Sequence, residues 1–226
     1  MERYRVKPCQ EVVLSEWDTS EHSAFDGKKK AGRKVLVTGM GPVGVMALAA
    51  AKALGARSVF ATDISDFRLE LAEKMGADLV LNPLRDDIEG ALREATGGEG
   101  VDVLLEMSGA PQAIDSGFRM LKAGGEAALL GLFSQNLSFD IDDHIIFKGA
   151  TVYGIVGRRL WGTWYEARGL MRSGIIDLEP IITHRFALDD YAKAFELMDS
   201  GDCGKIVMFP NPGDADGPLS SGASQK

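Results

Sequence analysis

Short apolar runs alternate with amphipathic stretches along most of this chain. The runs, such as Val35-Leu36-Val37, are apolar at successive positions rather than at every second one. The stretches between them place apolar residues at helical spacing, as Leu69 and Ala72 do among charged neighbours. Strands with continuous apolar runs are typical of parallel sheets that helices cover on both faces. The pattern therefore predicts an α/β fold built on a doubly wound parallel sheet.

The same pattern gives the bounds of each element and of the domain. Strands are predicted at residues 35–38, 58–61, 79–81, 101–107, 127–130 and 150–155, and further extended runs at 181–186 and 204–209. Helices are predicted at residues 43–54, 66–75, 88–96, 113–121, 141–147, 160–173 and 188–199. These elements place one α/β domain at residues 34–209, between an irregular N-terminal segment at 1–33 and a C-terminal extension at 210–226. The extension is rich in Gly, Ser, Pro and Asp and is predicted to be disordered.

Three glycines follow the first predicted strand in the spacing G-x-G-x-x-G. They are Gly39, Gly41 and Gly44, and an alanine-rich helical stretch comes directly after them. In such a strand–turn–helix unit, the first glycine permits the tight turn, the second lets a pyrophosphate approach the backbone, and the third lets the helix pack closely on the strand. The N–H groups and the dipole at the start of the helix favour an anion. The sequence therefore predicts a dinucleotide-binding Rossmann domain.

An acidic residue about 20 positions further on completes the dinucleotide fingerprint. Asp63 ends the second predicted strand, where its carboxylate can accept both ribose hydroxyls of an adenosine and would repel a 2′-phosphate. This choice favours NAD over NADP, although Asp63 could instead cap the helix that begins near residue 66. Arg68 could lie against the adenine or the ribose, or on an exposed helix face. Because Arg68 could also accommodate a 2′-phosphate, NADP stays open as an alternative.

Charge and cysteine content restrict the partners and the compartment. The formal net charge of −8 argues against nucleic acid and against an anionic membrane surface. No apolar run is long enough to span a bilayer, and the first residues do not form a signal peptide. The two cysteines, Cys9 and Cys203, are far apart and form no C-x-x-C motif, as expected for free thiols in a reducing compartment. We therefore expect a cytoplasmic protein that acts on small molecules.

Several runs beyond the fingerprint resemble the NAD-binding half of the zinc-dependent medium-chain alcohol dehydrogenases. The resemblance covers residues 34–209, and two runs, Gly157-Arg158 with Thr163-Trp164-Tyr165, and Ile182-Thr183-His184-Arg185-Phe186, narrow it to the members that oxidise L-threonine. The other runs that carry the resemblance are residues 35–46, 62–76, 105–110, 146–149, 154–156 and 204–207.

The resemblance implies which residues hold the cofactor. Val43 would lie under the pyrophosphate, and Asp63 and Arg68 would hold the adenosine. The residues that would line the nicotinamide end follow the fifth and sixth strands; they are Leu130, Gly131, Leu132, Ile155 and Val156. All of them come at carboxyl ends of predicted parallel strands, where open α/β sheets bind their ligands. From the residues alone, the apolar members of this set would be core or turn residues.

Members of this family also carry a catalytic zinc domain, which is not recognisable in residues 1–33. The histidines are His22, His144 and His184, and none stands at metal-ligand spacing. His144 follows Asp142-Asp143 and is predicted to face solvent from a helix start. We therefore predict no metal ligand and name no catalytic residue in this chain.

Three other polar residues could touch the ligand. Glu106 and Ser108 end a strand near the predicted site, and we interpret them as rim residues that contact the cofactor. Arg158 and its neighbour Arg159 could contact a substrate carboxylate, or lie on the surface of a helix start.

The predicted function is an NAD-dependent oxidoreductase that takes a hydride from a secondary alcohol, with L-threonine as the suspected substrate. One alternative is a non-catalytic NAD-binding module, or a piece that needs a separate zinc domain. Another is a polyol or alcohol dehydrogenase of the same family. The last strand of the predicted sheet, residues 150–155, would form its edge, and such an edge favours a homo-oligomer.

Overall fold

The structure is a computed structural model, and it describes residues 32–134, 136–156 and 161–211. Eight strands are present in these residues: β1 Lys34–Thr38, β2 Ser58–Thr62, β3 Leu79–Leu81, β4 Val101–Glu106, β5 Leu121–Leu129, β6 Thr151–Gly154, β7 Ile182–Ala187 and β8 Lys205–Phe209. The α-helices of the same residues are α1 Pro42–Ala53, α2 Asp66–Lys74, α3 Ile88–Thr96, α4 Pro111–Met120, α5 Gly162–Arg172 and α6 Tyr191–Ser200. A π-helical turn at Asp142–Ile146 and 3₁₀ turns at Glu179–Ile181 and Leu188–Asp190 complete the set.

Local chemistry explains several of the helix boundaries. Helix α2 begins after Ser65, whose side chain accepts a hydrogen bond from the backbone N–H of Arg68. Helix α3 begins after Asp87, which accepts from the N–H of Gly90, and it ends at Gly97, whose φ of 67° few other residues adopt readily. Pro42 opens α1, where its missing N–H removes no intrahelical hydrogen bond. Capping side chains, proline and glycine thus set the helix ends locally.

Six strands form one parallel sheet in the order β3-β2-β1-β4-β5-β6. The chain moves outward from β1 to β3 and then returns to the other side of β1 with β4. This order is that of the Rossmann fold, which places a crevice where the strand order reverses, between the loops that follow β1 and β4. The predicted doubly wound α/β fold is confirmed, and β6 is the last strand on its side of the sheet.

The core lies on both faces of this sheet. Val35 and Val37 of β1 pack with α1 and α2 on one face, whereas Leu36 packs with α3 and α4 on the other. All three side chains are buried, so the strand alternates between two apolar layers instead of between core and solvent. This double burial explains why the strand sequences are apolar at successive positions.

The start of strand β5 differs from the prediction. Strand β5 begins at Leu121, not at residue 127, because Leu121 already pairs with Val101 before a shift in register. Gly124 and Gly125, which precede the predicted strand at 127–130, lie within β5, where the N–H of Gly124 donates to the carbonyl of Lys148 at 2.7 Å. Strands β7 and β8 form a separate two-stranded parallel sheet and do not extend the large one.

Expectations for residues 1–31, including Cys9 and His22, lie outside the described residues, as do those for Arg158, Arg159 and residues 212–226. The single domain at 34–209 stays a prediction.

Candidate functional site

The crevice at the carboxyl edge of the sheet is formed by the loops that follow β1, β2, β4, β5 and β6. The first of these loops makes a sharp turn at Gly39, whose φ is 85° and whose N–H donates to the carbonyl of Thr62 at 2.8 Å. A Cβ on Gly39 would lie 2.7 Å from the Cβ of Ser108, so the turn also needs glycine for space. The loop after β1 is therefore held against β2 and the loop after β4.

Gly41 and Gly44 meet very different surroundings. A Cβ on Gly44 would lie 1.8 Å from the carbonyl oxygen of Gly39, which no folded turn of this shape can accommodate. A Cβ on Gly41 would meet nothing within 4 Å. The helix that starts here has no side-chain cap and no acidic residue in its first turn. The backbone above Gly41 thus offers open space and free helix-start N–H groups, which suits a pyrophosphate.

Asp63 lies directly after β2 and is almost completely buried. Its Oδ2 accepts a hydrogen bond from the N–H of Met40 at 2.6 Å, and its Oδ1 accepts from the N–H of Ser65 at 2.8 Å. The cap of α2 is Ser65 rather than Asp63. Each carboxylate oxygen can accept a second hydrogen bond, so Asp63 retains acceptors for a ribose while it ties the glycine turn to β2.

Arg68 lies between Asp63 and the loop that follows α6. Its Nη1 is 3.9 Å from Oδ2 of Asp63, and a Cβ on Gly201 would lie 3.5 Å from its Nη2. Its Nε is buried and has no hydrogen-bond partner among the described residues. Arg68 therefore borders the predicted adenosine end of the crevice.

The loop that follows α6 also holds Cys203, a free cysteine. Burial raises the pKa of its thiol in spite of the nearby Arg68 charge, so the thiol stays protonated at neutral pH.

Apolar side chains cover the rim at the other end. Leu132 is 89% exposed and Val156 is 81% exposed, and both follow strands of the large sheet at its carboxyl edge. Leu130 and Gly131 donate their N–H groups to the carbonyl of Glu106, and Ile155 donates to the carbonyl of Leu129. The structure thus brings the residues expected at the nicotinamide end to one edge. At this end Ile155 packs partly into the core, whereas Leu132 and Val156 project into solvent.

The interpretation of Glu106 as a rim residue is wrong. Glu106 has no exposed surface. Its Oε1 accepts hydrogen bonds from the N–H of Ser108 at 2.8 Å and of Gly109 at 3.0 Å, and also from the Ser108 hydroxyl. A strand-end carboxylate thus points back under the loop because two successive backbone N–H groups need an acceptor there. Ser108 itself is exposed at the rim.

Gly109 was not predicted from the sequence as a residue on which this loop depends. Its φ is 68°, and a Cβ on it would lie 2.4 Å from the carbonyl oxygen of Leu132. The dipeptide Ser108-Gly109 directly after an apolar strand is the signal that could have identified this close contact between two loops.

The prediction that His144 faces solvent is also wrong. Its ring is buried against Phe139 and Phe118, with ring centres 4.8 Å and 6.0 Å away. Its Nε2 lies 2.9 Å from Oδ1 of Asp115, and this hydrogen bond, helped by Arg119, lowers the pKa of Asp115. His144 therefore joins the π-helical turn to α4 and is far from any metal-ligand arrangement.

The described residues do not fit a zinc ion. Among them, no three His, Cys, Asp or Glu side chains lie close enough to share a metal. His184, at the start of the second sheet, has its Nδ1 2.9 Å from the hydroxyl of Thr183. We therefore derive no metal-dependent step from these residues. The open space over Gly41 and the uncapped start of α1, in contrast, do fit a dinucleotide.

One cavity lies outside the crevice. A surface cavity of about 610 Å³ runs along α5 and is lined mainly by Trp161, Trp164, Tyr165 and Met171. It is open and apolar and holds none of the residues predicted to bind the cofactor.

In the parts of the chain that the structure covers, every helix is too short or too polar to cross a membrane.

Sequence comparison places these features in a known family. Residues 42–173 match the family described as zinc-binding dehydrogenase. The chain is 45% identical over 190 residues to an L-threonine 3-dehydrogenase of Caldanaerobacter subterraneus subsp. tengcongensis, covering 84% of this chain and 54% of that protein. It is 49% identical over 180 residues to an L-threonine 3-dehydrogenase of Pyrococcus abyssi, covering 79% and 52% of the two chains. The chain thus spans about half the length of the curated relatives it matches.

Solved structures agree with the fold. An alcohol dehydrogenase of Thermotoga maritima superposes with a TM-score of 0.75 at 30% identity, over 90% of this chain and 55% of that one. A 2R,3R-butanediol dehydrogenase of Bacillus subtilis superposes with a TM-score of 0.74 at 29% identity, over 89% and 56%.

Proposed function

This chain belongs to the zinc-binding dehydrogenase family, and we propose that it provides the NAD-binding part of an L-threonine 3-dehydrogenase. The observation that carries the proposal is the glycine turn after β1. Gly39 and Gly44 are fixed there by contacts within the protein, whereas Gly41 faces open space at an uncapped helix start. Of the three glycines, only Gly41 is not required by contacts within the protein. A pyrophosphate bound at the helix start would explain why a glycine lies at this position.

Different residues around the crevice bind different parts of NAD. The N–H groups at the start of α1, next to Val43, bind the pyrophosphate, while Asp63 accepts from the ribose and Arg68 borders the adenosine. At the other end, the exposed apolar side chains of Leu132 and Val156 would line the nicotinamide ring, beside Leu130, Gly131 and Ile155. Bound NAD supplies a hydride acceptor at C4 of its nicotinamide ring.

L-Threonine is proposed as the substrate because both relatives described above are named L-threonine 3-dehydrogenase. Vicinal diols are a second candidate class of substrate. The 2R,3R-butanediol dehydrogenase of Bacillus subtilis shares the fold of this chain and is 29% identical to it. Isothermal titration of the chain with NAD, followed by NADH formation with L-threonine or 2,3-butanediol in the presence of a catalytic domain, tests both. Absence of NAD binding would remove the proposal. The cytoplasmic location expected from the isolated cysteines is part of the same proposal.

Cofactor preference is expected to depend on Asp63. The parent chain should bind NAD at least about tenfold more tightly than NADP, because a buried carboxylate repels a 2′-phosphate. Asp63→Ala should weaken NAD binding and reduce this preference. Since Asp63 also accepts two backbone N–H groups, the NAD-to-NADP affinity ratio is the informative measurement, not the NAD affinity alone.

Asp78→Ala is the matched control for this experiment. Asp78 accepts the N–H of Val59 at 2.7 Å at the opposite end of β2, so its loss also removes a carboxylate that holds backbone. The control should lower thermal stability and leave the NAD-to-NADP ratio unchanged. Equal affinities of the parent chain for the two cofactors would show that Asp63 does not select between them.

The chain is expected to form a dimer or a larger assembly. Strand β6 ends the large sheet. Trp161, just before helix α5, is 65% exposed, and Tyr165 within the helix is 66% exposed. Exposed aromatic groups and the edge of a sheet both favour association. Light scattering at micromolar concentration should give at least twice the 24.3 kDa monomer mass, and Trp161→Asp should lower it.

Leu84→Asp serves as the control for association. Leu84 is 76% exposed but follows β3, at the other edge of the sheet, so its replacement should not change the mass. A parent chain that is strictly monomeric at these concentrations would contradict the expected assembly.

A further inference from the structure

Glu106 is a buried acidic residue to which the proposed function gives no role. Among the described residues, only Asp63 and Glu106 are buried acids, and Glu106 is the more deeply buried at 0% exposure. All of its observed hydrogen bonds go to one oxygen. Oε1 accepts from the N–H groups of Ser108 and Gly109, from the Ser108 hydroxyl, and from the Thr38 hydroxyl at 3.4 Å. Oε2 is buried and has no hydrogen-bond partner in the part of the chain that the structure describes.

This side chain connects the loops that border the crevice. Thr38 immediately precedes the glycine turn, and Ser108 lies under Gly39 so closely that a Cβ there would be 2.7 Å away. On the opposite side, a Cβ on Gly131 would lie 2.4 Å from Oε2 of Glu106 and 2.1 Å from the N of Gly109. The carboxyl group is therefore in contact with the end of β1 and with the loops that follow β4 and β5.

The adenosine end of the crevice is built without Glu106. There, Asp63 holds Met40 and Ser65 through their backbone N–H groups, and Arg68 lies beside Asp63. The two ends thus depend on different carboxylates: Asp63 joins the glycine turn to β2, whereas Glu106 joins the end of β1 to the loops after β4 and β5. A change at Glu106 should alter the spacing between the pyrophosphate turn and the nicotinamide end and leave the adenosine end intact.

We propose that Glu106 is a positioning residue that fixes the nicotinamide half of the cofactor site relative to the pyrophosphate turn. The inference rests on the proposed function, because it assigns a role within the same NAD site. A buried acceptor without a partner is unfavourable for folding, and such groups are rare enough in proteins to require a reason. The placement of several loop contacts on one side chain is such a reason. Glu106 acts through the loops and does not itself touch the cofactor.

The test compares NAD with AMP, which occupies the adenosine end only. In the parent chain, NAD should bind more tightly than AMP, because the nicotinamide half adds its own contacts to the affinity. In Glu106→Ala, AMP affinity should stay within about twofold, while NAD affinity falls by about tenfold or more towards that of AMP. Glu106→Gln keeps one carbonyl oxygen as an acceptor for Ser108 and Gly109, so it should retain NAD affinity within about threefold. Isothermal titration with NAD and with AMP measures each value.

Two further variants separate positioning from stability. Thr96→Val removes a buried hydroxyl that bonds Leu92 and Gly100 near the amino end of β4, away from the crevice. It should lower the melting temperature and leave the NAD-to-AMP ratio unchanged. Gly131→Ala places a methyl group against Oε2 of Glu106 and the N of Gly109, so it should reproduce the selective loss of NAD affinity even if Glu106→Ala does not fold.

An unchanged NAD-to-AMP ratio in Glu106→Ala and Gly131→Ala would overturn the proposal and leave NAD binding by this chain intact. Equal losses in Glu106→Gln and Glu106→Ala would overturn the role of the acceptor oxygen. A parent chain that binds neither AMP nor NAD would overturn the proposed function and this inference together.

Discussion

Gly41→Val is expected to lower the affinity for NAD by about 100-fold or more, which corresponds to about 2.8 kcal/mol. The valine side chain would occupy the space over the start of α1, where we place the pyrophosphate, and would block its approach to the backbone N–H groups. The fold should survive, because a Cβ at this position meets nothing within 4 Å and the residue has a φ of −63° that valine can adopt. Titration with NAD and a thermal melt measure the two quantities.

Gly169→Val is the matched control for this change. Gly169 is exposed on α5, and a Cβ there also meets nothing within 4 Å. Its replacement should leave NAD affinity unchanged, which shows that adding valine to an open glycine is not harmful in itself. Gly44 cannot serve in the same experiment, because a Cβ there would lie 1.8 Å from the carbonyl oxygen of Gly39 and would disturb the turn itself. Parental NAD affinity in Gly41→Val would show that the cofactor does not lie over this turn.

The glycine turn could be predicted from the sequence because its requirements are local. The positive φ of Gly39 and the contact between Gly44 and Gly39 arise within six consecutive residues, so the spacing of the glycines contains the information. The same holds for β1, whose continuous apolar run predicted burial on both faces. In these segments, neighbours in the sequence are also neighbours in the fold.

The burial of His144 and the start of β5 could not be predicted, because the partners of both are distant in the sequence. The ring of His144 packs against Phe118 and hydrogen-bonds to Asp115, which lies 29 residues earlier, so its acidic neighbours Asp142 and Asp143 gave a misleading picture of exposure. Gly124 lies within a strand because its N–H reaches the carbonyl of Lys148. A glycine pair read in isolation predicts a turn.

Glu106 shows the same limit at the site itself. A polar residue at the end of a strand near a ligand crevice is usually accessible, and the sequence contains no sign that this one is covered. The cover comes from the loop at Gly131, which follows the next strand of the sheet and approaches Oε2 from the other side. The sequence therefore showed that an acidic residue ends this strand, but it did not show that the side chain points into the protein.

The largest expected effect concerns turnover. A polypeptide of these 226 residues should bind NAD yet oxidise L-threonine at less than about 1% of the rate of the L-threonine 3-dehydrogenase of Pyrococcus abyssi. Removing a hydride from an alcohol requires that its proton also leaves, and a metal ion that polarises the oxygen contributes several kcal/mol, each 1.36 kcal/mol being about tenfold in rate. In residues 32–134, 136–156 and 161–211, no three metal-ligating side chains come together.

The rate should stay low when zinc is added to the chain alone, since the described residues offer the ion no ligand set. It should rise when the part of the Pyrococcus abyssi L-threonine 3-dehydrogenase that this chain does not match is supplied as a separate polypeptide. Gly41→Val should abolish that increase, because a domain that supplies chemistry still depends on the NAD held by this chain. NADH absorbance with L-threonine measures all of these rates. Robust zinc-stimulated NADH formation by the 226-residue chain alone would contradict the expectation and would direct the search for ligands to residues 1–31, where Cys9 and His22 lie.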